Sequence, residues 1–513
     1  MRSAGSSNST TQRPLRRLTE ADVRDTRPVH VVWELTLACN LKCVHCGSRA
    51  GTRRPGELTT EECLDLVAQL AELGTREVTL IGGEAFLRRD WLQIIRAISR
   101  AGMRCTLQTG ARNLTDERIR GAAEAGLAAA GVSVDGLREL HDSLRGVPGS
   151  FDQALDALRR LREHGVVTSV NTQITSLVIP ELSLLLDLFL EVGVRNWQVQ
   201  LTVAMGRAAD NEDLLMQPYE ILRLMPLLAE LYERARAGGI VLQPGNNVGY
   251  FGPYEHVLRG SGEELLHWTG CYAGRNVMGI ESDGTIKGCP SLPTNGYTGG
   301  KLRERSVREI WEHAPELAFN REPDRSSLWG LCRTCYYAPT CGGGCTWTSH
   351  SLLGRPGNNP YCHYRALRLA GEGLRERVVQ VERAPGTSFD SGRFDIVCEE
   401  IPSDDHESGE AFASWVAAAA ARTAALGVSR ATDRPATPEP PPDRRSDAHP
   451  HEPQLVLCQG CRSYVYPGTV VCPHCGGDVQ ELRRAYERTL EEARAACETL
   501  SKALAAPPTT YLA

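Results

Sequence analysis

The chain has 513 residues, of which 41% are hydrophobic and 23% are charged. One hydrophobic core does not hold that many residues, so roughly two to four domains are expected. The formal net charge of −6 argues against a nucleic-acid partner or an anionic membrane surface. No apolar run approaches the ~20 residues of a membrane span. The basic N-terminus lacks the apolar segment of a secretory signal, so a cytoplasmic location with reduced thiols is expected.

The first half of the chain alternates strand and helix patterns after residues 1–27, which are expected to be disordered. Helices are predicted near 60–73, 90–101, 115–125, 151–164 and 180–192, and the first has a capping box formed by Thr59 and Glu62. Six β-branched runs predict strands at 29–35, 77–82, 103–108, 130–135, 166–174 and 196–202. Such alternation with short loops indicates parallel βα units, in either an open partial barrel or a doubly wound sheet.

The second half departs from this pattern after a long helix predicted near 218–238. Residues 265–365 are rich in Cys, Gly and Pro and show little periodicity, which is typical where metal rather than a core holds the fold. A short helix at 364–380 and an alanine-rich helix at 410–426 are expected next. The predicted domains are a barrel (28–245), a Cys-rich domain (246–370), a helical extension (371–428), a Pro-rich linker (429–454) and a small ribbon with a terminal helix (455–513).

Eighteen cysteines are present, and in a large cytoplasmic chain grouped cysteines indicate metal ligation rather than disulfides. Four of them stand apart and are expected to be small buried hydrophobic residues: Cys63, Cys105, Cys398 and Cys497.

The first group has three members, Cys39, Cys43 and Cys46, in the stretch ACNLKCVHCGSRAG. A structural zinc site needs four ligands, and His45 is expected to point away because it is adjacent to Cys46. An iron–sulfur cube bound by three cysteines keeps one iron open. The spacing therefore favours a 4Fe–4S cluster with a vacant corner over zinc.

The segment CNLKCVHC, directly after the first strand, resembles the cluster loop of the radical S-adenosylmethionine (SAM) enzymes. The resemblance selects the partial (β/α)6 TIM-type barrel from the two possible folds. It also implies that SAM chelates the open iron through its amino and carboxylate groups. An electron, delivered by a donor of flavodoxin or ferredoxin type, then yields a 5′-deoxyadenosyl radical that abstracts hydrogen from a substrate.

Further stretches resemble SAM-binding positions of the same family, namely LIGGEAFLR, GVSVDG, HDSLRGVPGSFDQAL and QLTVAMGRAAD. The chain differs from the usual family pattern at Ala85 and at Thr109-Gly110-Ala111. The SAM contacts implied by the resemblance are His45, Met205, Gly206 and Arg207 at the adenine, Gly82, Gly83 and Glu84 at the ammonium, Ser133 and Asp135 at the ribose or carboxylate, and Arg145 at the carboxylate.

Seven cysteines in the second half are spaced as in the SPASM extension of radical SAM enzymes, which holds auxiliary 4Fe–4S clusters. The alternative is a pair of zinc sites. The second cluster of the implied pair lacks a fourth cysteine, which leaves one corner for a non-cysteine ligand, a solvent molecule or a substrate thiolate. The resemblance implies one cluster on Cys332, Cys335, Cys341 and Cys362, and the other on Cys271, Cys289 and Cys345.

The last group, CQGC and CPHCGG, has full four-cysteine closure through Cys458, Cys461, Cys472 and Cys475. This indicates a structural zinc ribbon, with a further iron–sulfur cluster as the alternative. Behind its proline-rich linker, the ribbon is interpreted as an interaction module, or otherwise as a cap on the preceding domain. The terminal helix repeats apolar residues at three- and four-residue spacing, which suits packing on a partner helix or on its own domain.

SPASM-type radical SAM enzymes most often modify ribosomally made peptides, so the resemblance implies a precursor peptide substrate that gains a thioether or C–C crosslink or an oxidised side chain. The residues before the first strand are too few for a leader-binding domain. Leader recognition is expected from a separate protein or from the C-terminal region. The alternatives are a tetrapyrrole side-chain enzyme of heme biosynthesis and a non-catalytic electron carrier.

Overall fold

The computed structural model describes residues 18–260, 266–321, 325–428 and 454–505. A ten-stranded sheet in the order β10-β9-β8-β1-β2-β3-β4-β5-β6-β7 organises most of these residues. Its strands are β1 His30–Thr36, β2 Glu77–Gly82, β3 Arg104–Thr109, β4 Leu127–Ser133, β5 Val167–Ile174, β6 Asn196–Leu201, β7 Val241–Pro244, β8 Val277–Ile280, β9 Thr285–Lys287 and β10 Thr298–Lys301.

Strands β1 to β7 are parallel and follow one another in chain order, and their first six members are the six predicted strands. Sequential order without a reversal is that of a barrel, so the partial-barrel prediction is confirmed over the doubly wound sheet. On the other side of β1, β8 pairs in parallel, and β9 and β10 extend the sheet antiparallel. The barrel and the Cys-rich domain therefore share one sheet.

The helices of the first half cover the outer face of this sheet, and the core lies between the two layers. The capping box predicted for α2 is present, because the Glu62 amide donates to Thr59 Oγ1 and the Thr59 amide donates to Glu62 Oε2. The helices are α1 Glu20–Arg24, α2 Thr60–Glu72, α3 Trp91–Arg100, α4 Asp116–Ala125, α5 Arg138–Arg145, α6 Ser150–Glu163, α7 Leu182–Glu191, α8 Ile221–Ala237, α9 Glu255–Leu258, α10 Val307–His313, α11 Ala338–Cys341, α12 Thr346–Leu353, α13 His363–Gly371, α14 His406–Ala425 and α15 Val479–Ala505.

The N-terminal prediction of disorder is wrong where it can be compared with the structure. Residues 20–24 form α1, which is held in place by an ion pair between the buried Asp22 and Arg76. Residues 1–17 lie outside the described part of the chain. A charged five-residue segment gives no periodic signal, so only its tertiary partner reveals the helix.

The first strand of a β-hairpin replaces the second part of the helix predicted at 364–380, whose first part is present. The helix α13 ends at Gly371, and β11 (Leu374–Glu382) then pairs antiparallel with β12 (Arg393–Glu400). The stretch LRERVVQVE contains β-branched residues in near alternation, which a pleated strand accommodates better than a helix. The helical extension is thus a hairpin followed by α14.

The ribbon is built on the short pair β13 (Val456–Leu457) and β14 (Tyr464–Val465), and it packs against the Cys-rich domain. The Tyr337 hydroxyl donates to the Tyr464 carbonyl at 2.6 Å and lies 2.9 Å from His474 Nε2. The Tyr464 hydroxyl in turn donates to the Leu266 carbonyl at 2.9 Å. These contacts fix the position of the ribbon against the Cys-rich domain, which the presence of a Pro-rich linker did not predict. Linker residues 429–453 lie outside the described part of the chain.

Only the first turns of α15 contact the ribbon, through the buried residues Val479, Leu482 and Ala485. The remaining apolar positions that are described, such as Leu490 and Leu500, are exposed. The helix therefore begins on its own domain and then leaves it.

Two of the four unassigned cysteines, Cys63 and Cys105, are fully buried as expected. The prediction is wrong for Cys398 and Cys497, which are exposed, because β12 and the outer part of α15 each have a solvent face. No helix in the described ranges combines the length and the apolar content that crossing a membrane requires.

Candidate functional site

The three-cysteine loop follows β1, and backbone hydrogen bonds join its two ends. The Cys39 amide donates to the Gly51 carbonyl at 3.1 Å, and the Gly51 amide donates to the Leu37 carbonyl at 2.9 Å. Two sulfur atoms also receive N–H groups, from the Leu41 amide to Cys39 Sγ at 3.4 Å and from Arg145 Nη1 to Cys43 Sγ at 3.6 Å. The loop thus holds one buried and two partly buried thiols, and N–H groups donate to two of the three sulfur atoms.

Glycines at the ends of two strands let the backbone approach this loop. A Cβ on Gly83 would lie 2.1 Å from the Ala38 carbonyl oxygen, and one on Gly82 would lie 2.0 Å from that of Thr36. On the opposite side, Gly206 (φ +58°) would place a Cβ 2.4 Å from the carbonyl oxygen of Cys46. These positions admit only glycine, so the predicted Gly82, Gly83 and Gly206 do converge on the cysteine loop.

Glu84 is fully buried beside this loop. Its carboxylate accepts from the Gly110 amide at 2.7 Å and from the Thr109 hydroxyl. Burial raises the pKa of Glu84 to about 7. The sequence Thr109-Gly110-Ala111, which departs from the usual pattern, therefore holds the acid, and Ala111 takes the positive φ of +61° that the turn requires.

Asp135, His45 and Arg145 form one buried charge network. Asp135 Oδ2 lies 2.5 Å from Arg145 Nη2 and 3.0 Å from His45 Nε2, while Oδ1 accepts from the Gln173 amide at 2.8 Å. Burial opposes ionisation of Asp135, but Arg145 and His45 hold its pKa well below the usual range. The structure thus pairs Asp135 and Arg145 with each other, and Ser133 ends β4 at a half-buried position.

Arg207, which follows β6 in the chain, holds the cysteine loop through hydrogen bonds to its carbonyl groups. Its Nε donates to the Cys43 carbonyl at 2.7 Å, and its Nη atoms donate to the Ala50 carbonyl at 3.3 and 3.2 Å. The Arg207 amide also donates to the Cys46 carbonyl at 3.0 Å. Its contacts with the described chain are therefore those of a positioning residue.

A pocket of about 190 Å³ opens beside the cysteine loop, between the barrel and the Cys-rich domain. Three residues predicted from the sequence line it, namely His45, Gly82 and Met205. The other predicted SAM-contact residues do not line it: Gly83, Gly206 and Arg207 contact the cysteine loop, and Asp135 pairs with Arg145. The remaining lining residues are Glu34, Gly47, Ser48, Ile81, Gln173, Gln200, Thr202, Val203, Pro290, Ser291, Trp347 and Phe389.

Sequence reasoning missed the side chains that reach the pocket from distant segments. Trp347, at the start of α12, donates its indole N–H to Met205 Sδ at 3.0 Å. Phe389 comes from the loop of the β11–β12 hairpin, where Asp390 pairs with Arg49 at 2.7 Å. No local signal marks either aromatic residue, because each depends on tertiary contact alone.

Glu34 is the one missed residue with a usable signal. It is an acid among the apolar residues Val32, Trp33 and Leu35 of the first strand, near the carboxyl end where barrel sites form. Arg54 donates to both of its oxygens at 3.1 Å, and Ser282 Oγ donates at 2.8 Å. Burial raises the pKa of Glu34 despite Arg54.

The seven cysteines of the second half separate into the two expected groups. The pKa of the Cys341 thiol is raised far above its ordinary value by burial and by the neighbouring thiols Cys362, Cys332 and Cys335. The pKa of Cys345 is raised to about 12 by burial, then by Cys271 and Cys289. Cys341 and Cys345 are the buried members of the two groups, and thiols grouped in this way ionise together only when a cation neutralises them. The donor sets therefore fit metal clusters.

The four ribbon cysteines are also buried, and their sulfur atoms all lie within 4.8 Å of one another. The pairs Cys458–Cys475 and Cys461–Cys472 are each 3.7 Å apart. A tetrahedron with Zn–S bonds of about 2.3 Å has edges of about 3.8 Å. The geometry fits a single tetrahedral ion.

Comparison with known proteins agrees with this arrangement. The radical SAM superfamily model matches residues 33–184, and the SPASM iron–sulfur cluster-binding model matches residues 271–336. An AdoMet-dependent heme synthase of Methanosarcina barkeri is 31% identical over 66% of this chain and 97% of its own length. Mycofactocin maturase MftC of Mycolicibacterium smegmatis is 29% identical over 69% and 87%.

A solved structure, that of Streptococcus suis SuiB bound to S-adenosylmethionine, matches with a TM-score of 0.53 at 18% identity, covering 67% of this chain and 78% of SuiB. At that identity the likeness concerns the fold. Together with the cysteine loop and the glycine-lined cradle around it, these findings show that the chain belongs to the radical SAM superfamily, carries a SPASM domain and is an enzyme of the radical SAM type.

Proposed function

We propose that this enzyme modifies a ribosomally made precursor peptide. The observation that carries the proposal is the chemistry of the pocket beside the cysteine loop. Its described lining contains neutral hydrogen-bonding groups and one acid, Glu34, but neither lysine nor arginine. A substrate group without several carboxylates, such as a peptide side chain, suits a lining of this kind.

In this proposal, Cys39, Cys43 and Cys46 hold the SAM-binding 4Fe–4S cluster. Bound together, the cluster and SAM supply a 5′-deoxyadenosyl radical that removes a hydrogen atom from the substrate. The chain's own residues position these groups. Arg207 fixes the cysteine loop, and Asp135 fixes the ring of His45 at the pocket wall.

Further cofactors belong to the same proposal. Two auxiliary 4Fe–4S clusters are assigned to the two SPASM cysteine groups, and Zn²⁺ to the ribbon, because the buried thiol sets fit them. A flavodoxin- or ferredoxin-type electron donor and a separate leader-binding protein are the proposed partners, in a cytoplasmic setting.

Side-chain modification of a tetrapyrrole is the second candidate. It is favoured by the similarity to the AdoMet-dependent heme synthase, because the match extends over 97% of the length of that relative. A substrate that carries several carboxylates calls for cationic groups at the site, and the described lining offers none of the lysine or arginine type. For that reason the peptide is placed first.

The test is to reconstitute the protein anaerobically with iron and sulfide, reduce it with dithionite in the presence of SAM, and measure 5′-deoxyadenosine. Mass spectrometry of a candidate peptide from a neighbouring gene, co-expressed with this protein, should show loss of two hydrogens for a crosslink. The Cys43→Ala variant is the control and should give neither product. Conversion of Fe-coproporphyrin III to heme, with every peptide unmodified, would establish the second candidate instead. A protein that forms no 5′-deoxyadenosine would refute both.

A further inference from the structure

A second cavity, of about 480 Å³, lies where α8, α13 and α14 meet the ribbon. It shares no lining residue with the pocket beside the cysteine loop. Its size falls within the range of sites for small organic ligands. Its apolar wall includes Leu222, Pro226, Val257, Leu367, Ala418 and Trp415.

Two arginines line the same cavity, Arg422 from α14 and Arg462 from the loop between the ribbon strands. Their known contacts are neutral, since Arg422 Nε donates to the Gly460 carbonyl and Arg462 Nη1 donates to Gln459 Oε1, each at 2.8 Å. Within the part of the chain that the structure describes, neither arginine forms an ion pair, and no Asp or Glu lines the cavity. Among the described residues, several N–H groups of each guanidinium therefore have no acceptor.

The two charges also repel each other. Two other lining side chains hold polar atoms that find no partner in the described structure, His256 Nδ1 and Trp415 Nε1. Buried polar atoms without partners are rare in folded proteins, and an anion entering the cavity would relieve the repulsion.

The geometry points to a second ligand site in which Arg422 and Arg462 bind a carboxylate while the wall formed by α8 and α14 holds the apolar body that carries it. The carboxylate belongs either to a free amphipathic acid or to an acidic side chain of a peptide. Guanidinium groups bind carboxylates through paired, charge-assisted hydrogen bonds. The amphipathic lining matches such a ligand better than it matches a small inorganic anion.

The competing explanation assigns both arginines to the ribbon. Four thiolates around Zn²⁺ leave a net charge of −2, which nearby cations would balance. In that case the arginines would retain the metal and the cavity would bind nothing. The two explanations differ in whether an organic acid binds to the zinc-loaded protein.

Isothermal titration calorimetry of the full-length, metal-loaded protein tests the site with 4-phenylbutyrate as the probe and 4-phenylbutanol as its neutral counterpart. We expect the acid to bind at least ~10-fold more tightly than the alcohol, since hydrogen bonds to charged groups contribute about 1.5–3 kcal/mol. The double variant Arg422→Gln/Arg462→Gln should lose at least ~10-fold of the affinity for the acid. The Arg488→Gln variant, changed on the exposed part of α15, should bind as the wild type does.

A second pair of variants is independent of charge and of ribbon docking. Ala418→Phe fills the cavity and should abolish binding of the acid, whereas Ala417→Phe, on the exposed side of the same helix, should leave binding unchanged. Near-UV circular dichroism confirms folding. An acetyl-Leu-Glu-Leu-amide titration then separates the sources, because tighter binding than 4-phenylbutyrate indicates a peptide carboxylate and weaker binding indicates a free acid.

Three results would overturn the site. These are equal affinity for acid and alcohol, unchanged affinity in both the double arginine variant and the Ala418→Phe variant, and absence of 4-phenylbutyrate binding at millimolar concentration. Loss of zinc from the arginine variant, together with absence of binding by the wild type, would assign both cations to the ribbon.

Discussion

Glu84 is an acid held without any cationic contact of its own in the described structure. The Thr109 hydroxyl donates to one oxygen of its carboxylate and the Gly110 amide to the other, and its pKa is raised to about 7 by burial. A buried carboxylate in such a state gains most from a cationic ligand. This is the environment in which the proposed contact with the SAM ammonium would be strongest.

The Glu84→Gln variant tests that contact. It keeps the size of the side chain and its hydrogen-bond acceptor but removes the charge, so SAM affinity should fall by about 10- to 100-fold. Equilibrium dialysis with labelled SAM on the reconstituted protein measures the change. The Glu61→Gln variant, altered on the exposed face of α2, should bind as the wild type does. Equal affinity of the Glu84 variant and the wild type would remove the assigned role.

His141 gives a pH dependence that involves no cofactor. Its ring is buried, and Nδ1 accepts the Asp135 amide at 3.1 Å. Burial, and next the charge of Arg145, lower its pKa from 6.5 to about 4. Because the folded protein resists protonation, the stabilisation is present above pH 6.5 and is lost as the pH falls from 6.5 towards 4.

The His141→Gln variant should therefore lose part of the acid sensitivity, with a difference of about 3 kcal/mol at most in the free energy of unfolding between pH 7 and pH 4. Urea unfolding at several pH values measures it, and comparison of variant with wild type cancels the contribution of the other groups. The His164→Gln variant is the control, since His164 forms a surface pair with Asp116. An unchanged slope for the His141 variant would contradict the buried, neutral histidine.

At the scale of elements, the barrel end and the cysteine loop are held together by backbone contacts that exclude a side chain. Gly206 combines a φ of +58° with a Cβ position 2.3 Å from the Gly47 carbonyl oxygen and 2.4 Å from that of Cys46. Both neighbours are backbone atoms, so the strain cannot be relieved by a rotamer change. The loop itself must move.

The Gly206→Ala variant should displace the cysteine loop and reduce the iron bound at Cys39, Cys43 and Cys46. Strained backbone alone costs about 1–3 kcal/mol, so the control is Gly165→Ala. Gly165 has a similar φ of +76° but nothing within 4 Å of its Cβ position. Iron and sulfide assays on variants that lack the SPASM cysteines report the loop alone. Equal iron content in the two alanine variants would show that steric contact at Gly206 is unimportant.

The predictable elements are those in which local pattern and tertiary role agree. All six predicted strands are present, because each gives either an apolar run or, as in β5 and β6, a strict alternation of buried and less buried positions, with punctuation at both ends. The β11–β12 hairpin was missed because its strands are half exposed, as the burial of Val378 beside the exposed Val381 illustrates. The helix α1 was missed because its stability comes from a distant arginine.

The residues of the site also fall into those that the sequence predicts and those that only the structure reveals. The three cysteines of the first loop follow from their spacing, since a metal loop requires one residue type. The glycines follow from the family resemblance, and the close backbone approach explains why that residue type is needed there. Trp347 and Phe389 follow from neither, because they reach the pocket from the SPASM domain and from the hairpin loop. The SAM contacts that the resemblance implies for Arg145 and Asp135 stay a prediction, and the ion pair between the two side chains is visible only in three dimensions.

For the whole molecule, the sheet is continuous from the barrel into the SPASM domain through the pairing of β1 with β8. A pocket at that junction is bounded by both parts, and the indole of Trp347 bridges them through Met205. The ribbon adds a third layer. An aromatic cluster that includes Tyr250, Tyr337 and Tyr464 joins it to the SPASM cysteines Cys341 and Cys345.

From this layering we propose that the ribbon supports the SPASM domain. Its hydrophobic content is small for independent folding, so a bound metal would supply much of its stability. The Cys458→Ser/Cys475→Ser variant should bind no ion at the ribbon and should unfold it. Tyr464, which is fully buried at the junction, would then separate from Tyr337 and His474, and the near-UV circular dichroism signal of the tyrosines should decrease.

Loss of this layer should also expose the SPASM domain, so limited proteolysis should cleave the double variant within residues 325–371 faster than the wild type. The Cys497→Ser variant controls for loss of a thiol, because Cys497 lies on the exposed part of α15. If the double variant retained the tyrosine signal and the protease resistance of the wild type, the ribbon would be an independent module. The buried Tyr337–His474 contact at 2.9 Å argues for the opposite result, because removing one partner leaves a polar group buried without a hydrogen bond.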